Sequence, residues 1–220
     1  MTAKPRIVLL HGTPVAMEPI QQAFAARWPE AEIVDLLDAS LSVDRAKDHD
    51  LTPRMFERFK ELGLYAHRIG ANGILVTCSA FGPAIERMTQ ELPIPVQKPN
   101  DAMFQAALVQ GTRIGMLATF APSVLTMTNE FEEFVQTSGS KATLRTIVVE
   151  GAMDALRKGD AETHNTLIAA RALELTNCDA IMLAHFSTSR AYARTCEAVK
   201  IPVLTSPNSA VDQMRAACGK

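Results

Sequence analysis

The sequence predicts an α/β protein made of two similar halves, each with a parallel sheet covered by helices on both faces. Three observations lead to this prediction. Short apolar runs such as RIVLL (6–10) and GILVTC (73–78) alternate with helical patterns, as in βα units. These runs are continuously apolar, which indicates strands buried on both faces of a sheet. The third observation is an internal repeat with a constant offset of 107 residues.

Three separated segments recur at this offset. They are RIVLL (6–10) with RIGML (113–117), GILVTC (73–78) with AIMLAH (180–185), and IPV at 94–96 and again at 201–203. A single match between apolar strands is weak evidence, but three blocks that share one offset indicate an internal duplication. We therefore expect the same elements in the same order in both halves.

Each half is expected to run strand, helix, strand, helix, strand, helix, strand, helix. The four strands of the first half are expected in PRIVLL (5–10), AEIVDLL (31–37), GILVTC (73–78) and near PIPVQ (93–97). One helix begins at Thr52-Pro53, an N-cap followed by proline in the first turn, and Gly70 ends it in the left-handed conformation. Its counterpart runs from about Asp160 to Leu175, and Asn177 is expected to take the place of Gly70.

The two halves join within Lys98–Gln110, where no Gly/Ser-rich linker is present. We assign residues 1–98 to the first half and residues 99–207 to the second, with a C-terminal helix at 208–220 packing back on the first half. NDAMFQAALVQ (100–110) matches PNSAVDQMRAA (207–217) at the same offset. Each half is therefore expected to end in a helix that crosses toward the other.

Composition and charge exclude several classes of function. Apolar residues make up 47% of the 220 residues, enough for a sizeable core, and the formal net charge is −2. Without a long block of one charge, a nucleic-acid groove or a polybasic membrane surface is not expected. No apolar run approaches the roughly 18 residues of a membrane span. We expect a soluble, cytoplasmic protein without nucleic-acid or membrane partners, as either a monomer or a homo-oligomer.

Cys78 stands out by its position at the end of the third strand. Ligands of open parallel α/β sheets bind beyond the carboxyl ends of the strands. The repeat assigns His185 to the matching position in the second half, so a thiol and an imidazole are expected to face one cleft from opposite walls. Such a pair suits removal of a proton from one face of a planar intermediate and delivery to the other face.

Other residues near the strand ends are candidates for binding an anionic substrate. Amides that follow the thiol can favour the thiolate or bind a carboxylate or enolate oxygen. The candidate binding residues are Thr13, Ser79, Ala80, Thr119, Ser123, Ser187 and Thr188. The hydroxyl-bearing residues among them are equally suited to capping helices. His11 ends the first strand and is a further candidate, for which a structural role is favoured.

The remaining cysteines and acidic residues receive structural expectations. Cys178, Cys196 and Cys218 show neither CxxC spacing nor histidines at metal spacing, so we expect packing or surface thiols and no metal site. Asp35 and Asp38 are expected to cap the loop after the second strand, with a role at the cleft edge as the alternative. The charged stretch DRAKDHD (44–50) is expected to be a solvated loop.

The chain resembles the aspartate/glutamate/hydantoin racemase superfamily over nearly its whole length. The resemblance is carried by the duplicated halves and by two motifs at matching places in them, VTCSAFG (76–82) and LAHFSTS (183–189). The resemblance implies two pseudo-symmetric α/β domains with the active site between them, and catalysis without metal or pyridoxal phosphate. In the racemases of this family, two cysteines are the opposed acid and base. Cys78 matches the first cysteine, whereas Ala184-His185 stands where a Gly-Cys pair carries the second.

We therefore expect a cofactor-independent racemase or isomerase of amino-acid metabolism, acting at the carbon next to a carboxylate of a small substrate. Cys78 is the expected acid, base or nucleophile, and His185 its opposed partner. Two alternatives remain. One is a decarboxylase or cis–trans isomerase of a small dicarboxylic acid that uses Cys78 alone, as in the arylmalonate decarboxylases and maleate isomerases of the superfamily. The other is a small-acid binding protein without turnover.

Overall fold

The computed structural model describes residues 4–48, 50–119, 121 and 124–218. The chain divides into two compact units, Met1–Asn100 with Ala210–Lys220, and Asp101–Ser209. Each unit contains one four-stranded parallel sheet with flanking helices. No helix in the described part of the chain is long and apolar enough to cross a membrane.

One or two α-helices follow each strand along the chain. The strands are β1 (Arg6–His11), β2 (Glu32–Leu37), β3 (Gly73–Val76), β4 (Val96–Gln97), β5 (Arg113–Ala118), β6 (Thr143–Val148), β7 (Ala180–Leu183) and β8 (Val203–Thr205). The α-helices are α1 (Met17–Arg27), α2 (Ser40–Arg45), α3 (Pro53–Arg68), α4 (Gly82–Glu91), α5 (Asp101–Gln110), α6 (Val124–Thr137), α7 (Ala152–Arg157), α8 (Ala161–Ala172), α9 (His185–Thr188), α10 (Tyr192–Ala198) and α11 (Ser206–Cys218). Short 3₁₀ turns lie at Pro14–Ala16, Ser79–Phe81, Leu173–Leu175 and Ser189–Ala191.

The two sheets have the same strand order and the same register. The first sheet has the order β2-β1-β3-β4, and the second has the order β6-β5-β7-β8. Ile7 of β1 lies opposite Gly73 of β3, and Ile114 of β5 lies opposite Ala180 of β7. Both partners in the second pair lie 107 residues after those in the first. The repeat and the predicted fold class, two similar parallel α/β halves, are confirmed.

The central strands carry the continuous apolar runs because helices cover both of their faces. Val8, Leu10, Ile74 and Val76 are buried in a cluster with apolar residues of α3 and α4. The edge strand β2, in contrast, contains only exposed and half-buried residues. This burial fixes the register, because a slip by one residue would turn the apolar set of a strand toward the opposite face.

The ends of two helices were predicted with different success. Thr52 precedes α3, as predicted, although its side chain makes no capping hydrogen bond, and Gly70 has a φ of +86°. The prediction for Asn177 is wrong. A 3₁₀ turn at Leu173–Leu175 follows α8, and the chain reaches β7 without a left-handed residue at this point. Among the non-glycine residues that the structure describes, only His185 has a positive φ.

The C-terminal part of α11, from Ala210 onward, belongs to the first unit. Asp212 forms an ion pair with Arg27 of α1, and Arg215 donates a hydrogen bond to the Arg27 carbonyl. A Cβ on Gly73 would lie 2.6 Å from the Met214 sulfur and about as close to Cys218. Glycine at position 73 therefore allows α11 to lie against the start of β3.

Candidate active site

Cys78 lies in the turn that joins β3 to α4. Its backbone is still extended (φ −127°, ψ 113°), and the 3₁₀ turn Ser79–Phe81 begins at the next residue and leads into α4. Phe81 is fully buried and packs on Phe59 of α3, with ring centroids 4.7 Å apart. Burial of such a ring contributes roughly 1.5–3 kcal/mol. Phe81 therefore anchors the turn, whereas the side chain of Cys78 remains half-buried.

The neighbouring strand β1 brings Gly12 close to the thiol. A Cβ built on Gly12 would lie 3.6 Å from Cys78 Sγ and 3.2 Å from Ser42 Oγ. The Ser42 hydroxyl donates a hydrogen bond of 2.5 Å to the Gly12 carbonyl, so α2 holds this loop in place. Glycine at position 12 keeps space open beside the sulfur. Sequence reasoning missed Gly12 and Ser42, because their proximity depends on strand register and on how α2 folds back.

His11 is buried within the first unit and uses both ring nitrogens there. Nδ1 lies 2.8 Å from Thr77 Oγ1, and Nε2 lies 2.9 Å from Asp35 Oδ1. Gln21 of α1 donates to the other oxygen of Asp35 at 2.7 Å. Burial lowers the pKa of His11, and it outweighs the opposing effect of the Asp35 carboxylate. These contacts hold the His11 ring between Asp35 of β2 and Thr77.

Asp35, which lies within β2, and Asp38, which follows it, differ from the prediction in one case. Asp35 does not cap the loop, because its carboxylate is bonded to His11 and Gln21. Asp38 does cap it, since its Oδ1 accepts hydrogen bonds from the amide and the hydroxyl of Ser40. Asp38 also pairs with Arg58 at 2.5 Å.

The stretch DRAKDHD is only partly the loop that we predicted, because α2 extends through Arg45. Arg58 of α3 binds Asp44 at 2.7 Å and so holds α2 in place. Arg45 donates from Nε to the carbonyl of Ala80 at 3.1 Å. A guanidinium group thus lies beside the turn that follows Cys78. No local pattern predicts this contact, since Arg45 and Ala80 are 35 residues apart.

The other candidates of the first unit lie in the same turns. Thr13 precedes the 3₁₀ turn Pro14–Ala16, is half-buried and makes no capping hydrogen bond with its side chain. Ser79 is half-buried, and Ala80 is exposed. The first N–H groups of a helical turn have no acceptor within that turn, so Ser79 and Ala80 begin a segment suited to binding an anion.

His185 of the second unit has an unusual backbone conformation. It follows β7 and Ala184, has a φ of +66° and opens α9. An L-residue in this conformation costs roughly 1–2 kcal/mol, although histidine adopts it more often than most residues do. Backbone strain of this kind clusters at functional sites. Burial lowers the pKa of the half-buried imidazole, which favours the neutral ring near neutral pH.

The hydroxyl candidates of the second unit fall into three groups. Thr119 and Thr188 are buried, and their hydroxyl oxygens lie 3.3 Å apart, within hydrogen-bond distance of each other. Ser187 is half-buried beside His185. Ser123 lies outside the described residues.

Two buried histidines and the half-buried His185 make the stability of the protein dependent on pH. Burial lowers the pKa of His11, His164 and His185 below the ordinary value of 6.5. The unfolded chain therefore takes up protons first as the pH falls. The stability that these residues contribute is present above pH 6.5 and is lost as the pH falls through their folded pKa values. We expect the free energy of unfolding in urea to fall by at least about 1 kcal/mol between pH 7.5 and pH 5.5.

His164→Leu separates one contribution to this pH dependence. His164 Nδ1 lies 2.8 Å from Asn165 Oδ1, and the buried Nε2 has no hydrogen-bond partner among the residues that the structure describes. An apolar side chain should therefore be tolerated at pH 7.5, and the loss of stability toward pH 5.5 should become smaller. His67→Gln, at an exposed position of α3, is the control. Stability that stays constant or rises toward pH 5.5 would contradict the expectation.

Comparison with known proteins shows what the fold is similar to. No family model matches the chain, and no curated protein matches it in sequence. An aspartate racemase homologue from Pyrococcus horikoshii OT3 aligns with a TM-score of 0.72 at 14% identity, covering 98% of this chain and 99% of that one. Allantoin racemase from Klebsiella pneumoniae aligns with a TM-score of 0.71 at 16% identity, covering 97% and 87%.

A decarboxylase has the same fold. A variant of arylmalonate decarboxylase in a sulfate-associated form aligns with a TM-score of 0.70 at 16% identity, over 98% of this chain and 94% of that one. The three similar structures are thus a racemase homologue, a racemase and a decarboxylase. The chain therefore has the fold that these racemase and decarboxylase structures share.

Proposed function

We propose that the protein is a cofactor-independent racemase or isomerase that acts at a carbon made acidic by a neighbouring carboxylate or carbonyl. The observation that carries the proposal is the matching position of Cys78 and His185. Each follows the third strand of its half, at the carboxyl end of the sheet, and each opens a helical turn. Ligands of this type of sheet bind at that end.

In the proposed mechanism, the two residues act on opposite faces of one carbon. His185, neutral because burial lowers its pKa, takes the α-proton on its Nε2 or Nδ1, and the C–H electron pair remains on the substrate as a planar carbanion. The Cys78 thiol gives its proton to the other face, leaving a thiolate and an imidazolium. The reverse direction starts from that thiolate. Amides at the start of the Ser79–Phe81 turn would bind the carboxylate or enolate oxygen.

A second candidate is a decarboxylase that uses Cys78 alone. The likeness to arylmalonate decarboxylase and the absence of a second cysteine at position 185 favour it. In that reaction the C–C bond to one carboxylate breaks, carbon dioxide leaves, and the Cys78 thiol protonates the remaining carbanion. His185 would then have no part in proton transfer.

Incubation with candidate acids in heavy water tests the proposal. The panel contains both enantiomers of aspartate, glutamate and allantoin, together with phenylmalonate as an arylmalonate. A racemase incorporates deuterium at the α-carbon and forms the other enantiomer, whereas a decarboxylase releases carbon dioxide from phenylmalonate. If one of these compounds stabilised the protein against unfolding but none showed exchange or turnover, the protein would be a binding protein, and the proposal would fail.

The proposal also predicts an order of thiol reactivity. Cys78 is half-buried in a turn with amides and Arg45 nearby, whereas Cys178 is buried and its burial raises the pKa of the thiol. Because both access and thiolate fraction govern alkylation, we expect iodoacetamide to label Cys78 at least about tenfold faster than Cys178 at pH 7.5. Peptide mapping after brief treatment measures both rates. Equal or slower labelling of Cys78 would count against an activated thiol.

A further inference from the structure

A chain of polar contacts runs through the first unit and ends at the residue before Cys78. Gln21 donates to Asp35 at 2.7 Å, Asp35 accepts from His11 at 2.9 Å, and His11 Nδ1 lies 2.8 Å from the Thr77 hydroxyl. The proton positions follow from the acceptors. Asp35 requires a proton on His11 Nε2, so Nδ1 of the neutral ring accepts the Thr77 O–H at 2.8 Å. This is the shorter of two contacts of that hydroxyl, which lies 3.4 Å from the Leu10 carbonyl. His11 and Thr77 are both buried.

This contact joins two neighbouring strand ends directly before the site. The Thr77 amide donates to the Leu10 carbonyl at 3.0 Å, which extends the ladder between β1 and β3 by one residue. The side-chain contact between His11 and Thr77 lies next to that bond. The residues that follow are Gly12 and Cys78, and a Cβ on Gly12 would be 3.6 Å from the sulfur. Loss of the contact between His11 and Thr77, called the link below, would therefore move residues that are one peptide unit away from Gly12 and from Cys78.

The second unit provides an internal comparison. At the repeat offset, His11 corresponds to Ala118 and Thr77 to Ala184, and both alanines are buried. The same pair of strand ends therefore forms in the second sheet without a polar link. The fold does not require it, and a buried polar network is costly unless each member is satisfied. The link is present only on the side of the molecule that carries Cys78.

We propose that His11 is a positioning residue for Cys78, acting through Thr77 and oriented by Asp35. The inference rests on the proposed function of Cys78. His11 touches neither substrate nor thiol in this role. It fixes the peptide that carries the sulfur, so that the thiol meets the amides of the following turn in one geometry.

The test compares Thr77→Ala, which breaks the link, with Thr77→Ser, which keeps the hydroxyl. His11→Ala combined with Thr77→Ala reproduces the alanine pair of the second unit and is expected to fold. Thr195→Ala is the matched control, because its buried hydroxyl donates to the Ala191 carbonyl at 2.8 Å in the second unit. Circular dichroism and thermal unfolding establish that each variant is folded at the assay temperature.

The first readout is the iodoacetamide rate of Cys78 relative to that of the exposed Cys196 in the same molecule. We expect this ratio to fall about tenfold in Thr77→Ala and in the double variant, since a thiol pKa raised by one unit lowers the thiolate fraction by that factor. Thr77→Ser and Thr195→Ala should stay near the wild-type ratio. An unchanged or higher ratio in Thr77→Ala would overturn the proposal.

The second readout is turnover of an active substrate from the panel. We expect kcat of Thr77→Ala to fall about 10- to 100-fold with little change in KM, because misplacement of a reacting group lowers the rate more than it lowers binding. Failure of the two proposals can be told apart. If Cys78→Ala retained turnover, the proposed function would fail, whereas an altered thiol rate in Thr77→Ala would still support the positioning role. If Thr77→Ala kept both its thiol rate and its kcat, only the positioning role would fail.

Discussion

Replacing Cys78 by alanine is expected to lower turnover of an active substrate by at least about 10²- to 10⁴-fold, which is the usual cost of losing one acid–base group. Both candidate reactions require this thiol, since racemisation uses it on one face of the carbon and decarboxylation uses it to protonate the carbanion. The half-buried side chain can be shortened without opening a large cavity. The free energy of unfolding should therefore change by no more than about 1 kcal/mol.

Cys196→Ala is the control for this experiment, because Cys196 is exposed on α10 and far from a strand end in sequence. Its turnover and its unfolding should equal those of the wild type. Cys78→Ser adds a second comparison, since a hydroxyl is a much weaker acid than a thiol and should recover little activity. Full turnover in Cys78→Ala would remove the thiol from the mechanism.

Replacing His185 by asparagine is expected to abolish proton transfer on one face of the substrate and to lower racemisation about 10²- to 10⁴-fold. Asparagine is chosen because it tolerates the left-handed backbone that His185 adopts, with φ of +66°, and has no imidazole. The fold should thus be retained, and the loss of activity can be assigned to the ring. A β-branched residue such as valine would strain the same backbone and confuse the two effects.

The pH dependence of the wild-type rate is an independent test of the role of His185. Burial lowers the pKa of this imidazole below 6.5, so the neutral base is present at pH 7 and is lost only in more acidic solution. In the direction that uses His185 as the base, the rate should fall as the pH drops through this lowered pKa. In His185→Asn this limb should disappear. A limb that stays in the variant would belong to another group.

Much of the fold could be predicted because apolar runs that are weak evidence singly recur at one constant offset. One apolar run such as RIVLL is compatible with several structures, but a similar run 107 residues later, with two other blocks at the same offset, indicates the same elements in the same chain order in both halves. The order of the strands within each sheet was not predicted. Strand ends then follow, and with them the positions of Cys78 and His185. The failure at Asn177 has a simple reason. A 3₁₀ turn can end a helix without a left-handed residue, and the sequence does not distinguish the two routes.

The contacts around the candidate site were less predictable, because they depend on distances between segments that no local pattern encodes. Asp35 was expected to cap a loop, yet β2 is paired with β1 so that its carboxylate meets His11. Arg45 reaches Ala80 only because a short helix, which was not predicted, folds back after β2. The strained backbone of His185 gave no sequence signal, since histidine is not the residue that turn patterns lead one to expect there.

Solvent deuterium exchange, measured separately for each enantiomer of an active substrate, tests the central claim that Cys78 and His185 serve opposite faces of one carbon. We expect Cys78→Ser to lose exchange that starts from one enantiomer and His185→Asn to lose exchange that starts from the other, with each variant keeping part of the remaining reaction. If exchange from both enantiomers in His185→Asn equalled that of the wild type, a two-base mechanism would be contradicted. The single-cysteine mechanism would then replace it.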